Sequence, residues 1–192
     1  ERPSGLGSAC GGRTARAALG RLGGCGAGGE ELLRCGPQPG AGGGLALVAA
    51  QQAAPAVRQR VAGLLLIAPW IDLTMANPAV DAVEPTDPWL TRAGLHPIAR
   101  SWAGDLALDD PVVSPLFGDL TGLPPVEVRV GTRDITAPDC RELERRMPDG
   151  AAFALHVEDG AIHDYPLLPT PEGRAASREI GERVTALLTA SG

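Results

Sequence analysis

Six stretches of the chain carry a clear apolar rhythm, and all of them lie beyond residue 40. VAGLLLIAP, Val61 to Pro69, is a continuous apolar run stopped by proline, the pattern of a strand buried on both faces of a parallel sheet. PPVEVRVGTRD predicts a second strand at Val126 to Val130, with Gly131 at its exit, and AAFALHVEDG predicts a third. Helical segments fall around these strands. GGGLALVAAQQAAPAV is opened by glycines and rich in strong helix formers, and Pro55 should end or kink it. APDCRELERRM is a polar helix with Leu143 and Met147 four apart on one face. TPEGRAASREIGERVTALL closes the chain, with Pro171 placed in the first turn. Alternating strands and helices predict an α/β fold with a mostly parallel sheet flanked by helices. The Pro- and Trp-rich stretch 70–120 should run over the strand ends, where open α/β sheets bind their ligands.

Composition divides the chain at about residue 40. Residues 1–44 hold 15 of the 26 glycines, three of the four cysteines and no Asp. A flexible linker favours Ser and Pro over this mixture of Gly, Arg, Ala, Leu and Cys. All 17 basic residues are Arg, which points to a GC-rich gene. Residues 1–40 fit a wrong-frame translation of such a gene better than they fit a linker. Residues 41–192 then form the C-terminal part of one domain, and their length allows a substantial core. With a net charge of −6, a nucleic-acid partner is not expected. No apolar run reaches the roughly 18 residues of a membrane span. The start has no apolar core of a signal peptide, and the expected location is cytoplasmic. The four cysteines lack the pairing of a zinc site, so no metal is expected.

Two residues stand at strand exits with useful chemistry. Asp134 follows VEVRVGTR and His163 sits in EDGAIHDYP, after the next strand. One helix and one strand separate them, so both loops should leave the same edge of the sheet, about 4.8 Å apart in strand spacing. A carboxylate there can hold an imidazole in one tautomer while the other ring nitrogen faces a nucleophile. Plainer roles are open to both. RDITAPD offers Asp134 or Thr136 as a helix cap, and a lone loop histidine is commonly a surface residue. His156, alternating within a strand, and His96, beside Pro97 at an apparent helix start, read as structural.

From Ala41 to about Gly173 the chain resembles the hormone-sensitive-lipase family of α/β-hydrolase esterases, in its bacterial acetyl-hydrolase branch. The matching words are AGGGLAL at 41–47, LLLIAPWIDLTMANPA at 64–79, DPWLTRAGL at 87–95, DDPVVSPLFGDLTGLPPVEVRVGTRD at 109–134 and EDGAIHDYPLLPTPEGR at 158–174. The resemblance implies hydrolysis of short-chain carboxylic esters without a cofactor, with Asp134 as triad acid and His163 as triad base. It also implies a serine nucleophile at position 40 and an oxyanion-hole N–H at Ala41. Here the chain departs from the family: the elbow G-D-S-A-G-G is matched by Gln38, Pro39 and Gly40 before Ala41-Gly42-Gly43. Glycine has no oxygen with which to attack. The family's upstream H-G-G-G motif has no counterpart in 1–40.

Other nucleophiles are poorly supported. A reactive thiol needs a nearby base or a lowered pKa, and no sequence feature supplies either for Cys35; Ser101 and Ser114 lie outside any strand–nucleophile–helix turn. A dinucleotide loop at GAGGG fails on spacing, since Leu45 stands where the last glycine belongs, and no Asp or Glu occurs between residues 32 and 71. Trp70, Trp89, Leu90 and Phe117, with Trp102, are candidates for an acyl pocket, against the simpler role of packing the loop onto the sheet. The readings left are a carboxylic ester hydrolase, an N-acetyl or lactone hydrolase with the same triad, and an inactive homologue that binds a small acyl compound. The expected partner is a small acyl ester, with a homodimer left open.

Overall fold

The computed structural model describes residues 41–190; Gly40 and Cys35 lie outside them. Three parallel strands stand in the order β1 (Leu64–Ile67), β2 (Val126–Gly131) and β3 (Phe153–Glu158). Leu64 pairs with Val126 on one side of β2, and Val126 with Phe153 on the other. Within β1, Leu66 alone is fully buried, while Leu64, Leu65 and Ile67 are partly covered. The expectation of burial on both faces therefore fits β2 better than β1. Among the described residues β2 is the strand flanked on both sides.

Helix α1 (Ala41–Gln52) runs against the sheet. Its glycines serve close approach: a Cβ on Gly43 would stand 2.7 Å from Pro69 Cβ, and one on Gly44 2.3 Å from the Trp70 carbonyl oxygen. The helix backbone thus reaches the exit of β1 where a side chain would hold it off. Pro55 opens a separate short helix, α2 (Pro55–Arg58), taking the first-turn position where its missing N–H costs nothing. Helix α5 (Ala137–Arg146) crosses the same face of the sheet as α1. Leu47, Leu66, Val126, Val128, Val130, Cys140 and Leu143 form one dry cluster between these elements. Met147 packs against that cluster, but it lies one residue past the helix with extended backbone, ψ 137°.

Residues 70–120 build a second core. Helix α4 (Arg92–Ala103) follows the short helix α3 (Val80–Val83) and turns Leu95, Ala99 and Ala103 onto Trp70, Leu73, Met75, Val80, Val113 and Ile135. Ile135 belongs to the segment leaving β2, so this second core seals the strand exits. Thr91 caps α4, its hydroxyl accepting from Gly94 N at 3.1 Å. His96 consequently sits inside the helix, not at its start, and the helix continues through Pro97. Helix α6 (Pro171–Ala190) covers the remaining face of the sheet through ion pairs with Glu127 and Arg129.

Candidate functional site

Gly131 ends β2 and lets the following loop press against the loop leaving β3. A Cβ there would stand 2.1 Å from the carbonyl oxygen of Ala161, a distance no side chain tolerates. With hydrogen in its place, Thr132 N donates to Glu158 O and Arg133 N to Ala161 O, both at 2.9 Å. These bonds lock the two loops together just before Asp134 and His163. His163 Nδ1 then lies 3.0 Å from Asp134 Oδ2, with Asp134 fully buried and His163 nearly so. The other carboxylate oxygen of Asp134 accepts from Thr136 N at 2.9 Å and from the Thr136 hydroxyl at 2.8 Å. One oxygen of Asp134 thus faces the imidazole and the other closes the turn before α5, but the helix-cap reading does not hold: Thr136 stands at the N-cap and no side chain caps the helix.

Burial disfavours the charged imidazole. The hydrogen bond and charge of Asp134, with the charges of Asp164 and Asp87, outweigh that penalty and raise the His163 pKa. Asp164 Oδ2 lies 3.4 Å from His163 Nε2, on the side opposite Asp134.

Two of these carboxylates were not singled out in the sequence. Asp87 Oδ1 accepts from Trp89 N at 2.8 Å and Leu90 N at 3.0 Å, while Oδ2 accepts from Ile135 N at 2.9 Å. Arg133 Nε donates to Thr86 O at 3.1 Å across the same junction. The 84–90 turn therefore clamps the segment that carries Asp134. TDPW was a signal for the turn, since Asp before Pro commonly accepts from its own following backbone. Nothing in it pointed to Ile135, 48 residues away. Asp164 had no signal beyond standing next to His163.

A small cavity, about 40 Å³, opens beside the start of α1 and is lined by Ala41, Gly44, Trp70, Leu73, Trp102 and Val113, among others. Trp70 faces it with its ring held in place, Nε1 donating to Asp72 O at 2.8 Å. Trp89, Leu90 and Phe117 do not line it. Trp89 is 55% exposed, Leu90 packs on the second core, and Phe117 lies under the Arg146 guanidinium at 5.5 Å. Ser114 is fully buried, its hydroxyl accepting from Leu73 N at 2.7 Å and donating to Leu108 O, so it staples two loop segments. Ser101 is exposed on α4. Among the described residues, no group of three or more His, Cys, Asp or Glu could hold a metal ion, and no helix is long and apolar enough to cross a membrane.

Residues 39–167 match the family described as alpha/beta hydrolase fold. A triacylglycerol lipase of Mycobacterium tuberculosis is 34% identical over 145 residues, covering 75% of this chain and 28% of the lipase. An acetyl-hydrolase of Streptomyces hygroscopicus is 31% identical over 146 residues, covering 73% of this chain and 48% of its own. Among solved structures, an esterase from the bacterial hormone-sensitive lipase family superposes with a TM-score of 0.67 at 31% identity, over 80% of this chain and 52% of that one. An esterase/lipase from an uncultured bacterium gives 0.67 at 29% identity, over 78% and 51%. The chain spans 28% to 48% of the length of the curated relatives it matches.

Proposed function

This chain belongs to the α/β-hydrolase fold family, and from that membership we propose that it is the C-terminal part of a carboxylic ester hydrolase acting on short acyl chains. The observation that carries the reading is the buried 3.0 Å contact between His163 Nδ1 and Asp134 Oδ2, built from two adjacent strand exits. Asp134 keeps the proton of neutral His163 on Nδ1 and stabilises the imidazolium that forms. Nε2 takes the hydroxyl proton of a serine at position 40 as that oxygen attacks the ester carbonyl. The N–H of Ala41, at the start of α1, donates to the developing oxyanion. His163 returns its proton to the leaving alcohol, and water then releases the acid by the same route. The names of the relatives, lipase, esterase and acetyl-hydrolase, support acyl transfer as the reaction class. An N-acetyl or lactone substrate would use the same groups.

Position 40 decides between this reading and a second one. If Gly40 stands in the natural protein, Asp134 and His163 have no serine to serve there, and the chain is a homologue that binds a small acyl compound beside Trp70. The test is to treat the protein from its natural source with a fluorophosphonate, then digest it with trypsin and weigh the peptides. The hydrolase reading expects a phosphonylated serine in the peptide that ends at Arg58, with labelling abolished in His163→Ala. An unlabelled peptide from Cys35 to Arg58 at the mass that carries Gly40 would end it in favour of binding alone.

A further inference from the structure

The histidine of the site is enclosed by acid on both of its nitrogens. Asp164 has left-handed backbone, φ 55° and ψ 26°, an uncommon conformation outside glycine that Asp and Asn tolerate best. That turn brings its side chain back over the ring of the residue before it, with Oδ2 3.4 Å from Nε2. The Asp164 side chain is only 9% exposed, and its Oδ1 is buried without a hydrogen-bond partner. An ionised carboxylate that gives up water in this way needs a donor, and Nε2 is the group in front of it.

A neutral imidazole with its proton on Nδ1, donated to Asp134, presents a lone pair at Nε2. Facing an ionised Asp164, that lone pair meets a second acceptor, and two buried acceptors repel. One additional proton removes the conflict, either on Nε2 or on Oδ2. We propose that Asp164 is a positioning residue that shares one proton with His163 Nε2, holding the general base in its protonated form until that proton is lost to solvent. The proposal rests on His163 as the base of the hydrolase reading. The step is a simple transfer. The shared proton leaves to water, Nε2 is left with its lone pair, and only then can it accept the proton of a nucleophile.

Three charged groups act on the ring from three segments: Asp134 from the loop after β2, Asp87 from the turn before Trp89, and Asp164 from its own loop. All are acidic, so each favours the imidazolium, and burial is the opposing influence. Burial raises the Asp164 carboxyl, as expected of a group that keeps a proton within the pair. Asp164 is the one of the three whose oxygen faces Nε2.

The test is the pH titration of His163 by ¹⁵N NMR in the full chain, for the wild type and for Asp164→Asn. Asparagine keeps the left-handed turn and the shape, loses the charge, and can donate its amide N–H to the Nε2 lone pair. The expected result is an imidazole that binds its proton about tenfold less tightly in Asp164→Asn, with the acidic limb of kcat/KM on a p-nitrophenyl ester moving to lower pH by a similar factor. A titration midpoint unchanged within twofold would overturn the proposal. The wild type alone supplies a second measurement that needs no variant. At pH 7 the Nε2 resonance should be that of a nitrogen sharing a proton, and the shift of a bare, unprotonated nitrogen would equally overturn it. Loss of the hydrolase reading looks different, with no ester turnover and no phosphonate label while the two titrations still separate.

Discussion

Strand β2 has two faces, and they are held by different physics. Val126, Val128 and Val130 enter the layer formed with Leu47 of α1 and Cys140 and Leu143 of α5, each at most 1% exposed. On the other face Glu127 and Arg129 meet α6. There Arg129 Nη1 is 2.9 Å from Glu179 Oε2, and Arg183 pairs with Glu127. His156 of β3 reaches toward the same Glu127 at 4.0 Å. The apolar face is held by volume, so every removed atom leaves a space. The charged face is held by a few directed contacts whose partners are partly wet, which makes each worth little. Asp134 and His163 hang from strands common to both layers. The positions of those two residues should therefore depend on the apolar layer and on the loop junction far more than on α6.

The largest effect should come from the junction itself. Gly131→Ala drives a methyl group into the Ala161 carbonyl oxygen, which is fixed by its bond from Arg133 N. The two loops must separate, at a cost of about 3 kcal/mol or more. The Nδ1–H signal of His163 should vanish with them. Urea unfolding and proton NMR would show both changes, and a variant with wild-type midpoint and an intact signal would mean that the loops are not locked here. Second in size is Leu143→Ala. Its side chain is fully buried among Val128, Val130 and Cys140, and truncation should cost about 2–5 kcal/mol. A loss below about 1 kcal/mol would show that this layer can collapse onto the space, and the contrast between the faces would shrink.

Much of this division was legible in the sequence, for reasons that differ by element. The strands of β1, β2 and β3 were readable because sheet cores leave apolar runs that owe little to distant partners. Glu127 and Arg129 alternate with valines in a way that fits any half-wet strand. Their true partners, Arg183 and Glu179, lie more than 45 residues away, beyond the reach of local pattern. Helix ends suffered from the same locality. Pro55 is expected to end or kink α1, which does stop at Gln52, but its place as the opening residue of α2 is not legible, nor is Thr91 as the cap that puts His96 within α4. The order of Asp134 and His163 was legible because strand exits repeat along the chain. Which acids surround the imidazole was not, because Asp87 reaches the site through a turn that belongs to the second core.

Asp139 is the exception on the apolar side, and a way to sharpen the comparison. It sits in the first turn of α5, 1% exposed, with Oδ1 accepting from Asn77 Nδ2 at 2.9 Å and Oδ2 without a partner. Burial, with the nearby charge of Asp72, pushes its carboxyl from 3.8 up to about 7 despite the Asn77 bond. A raised carboxyl means that the folded chain holds this proton more tightly than the unfolded one. Its contribution to stability is therefore most favourable below about pH 4, declines as pH rises, and levels off above about 7. Asp139→Asn removes the charge and keeps an acceptor for Asn77. The variant should gain on the wild type progressively between pH 4 and 7, reaching about 1–3 kcal/mol at pH 8. Thermal melts across that range would show parallel curves if the carboxylate were solvated after all.

The smallest expected effect is on the charged face, and it is the sharpest test of the idea that the two faces differ in kind. The Glu179 side chain is 58% exposed while that of its partner Arg129 is 10% exposed, so the pair is wet on one side only. Glu179→Gln leaves an amide oxygen that can still accept from Arg129 Nη1. The guanidinium is then not stranded, and the penalty for an unpaired buried charge does not apply. What is lost is one screened attraction, worth about 0.5–1 kcal/mol and less at high salt. A double-mutant cycle with Arg129→Gln, read by urea unfolding at low and high salt, isolates that coupling. A coupling of about 3 kcal/mol that persists in high salt would mean that the charged face is as tightly built as the apolar one. Both faces would then hold the strand that carries the site, and α6 would have to be counted among the elements that fix His163 against Asp134.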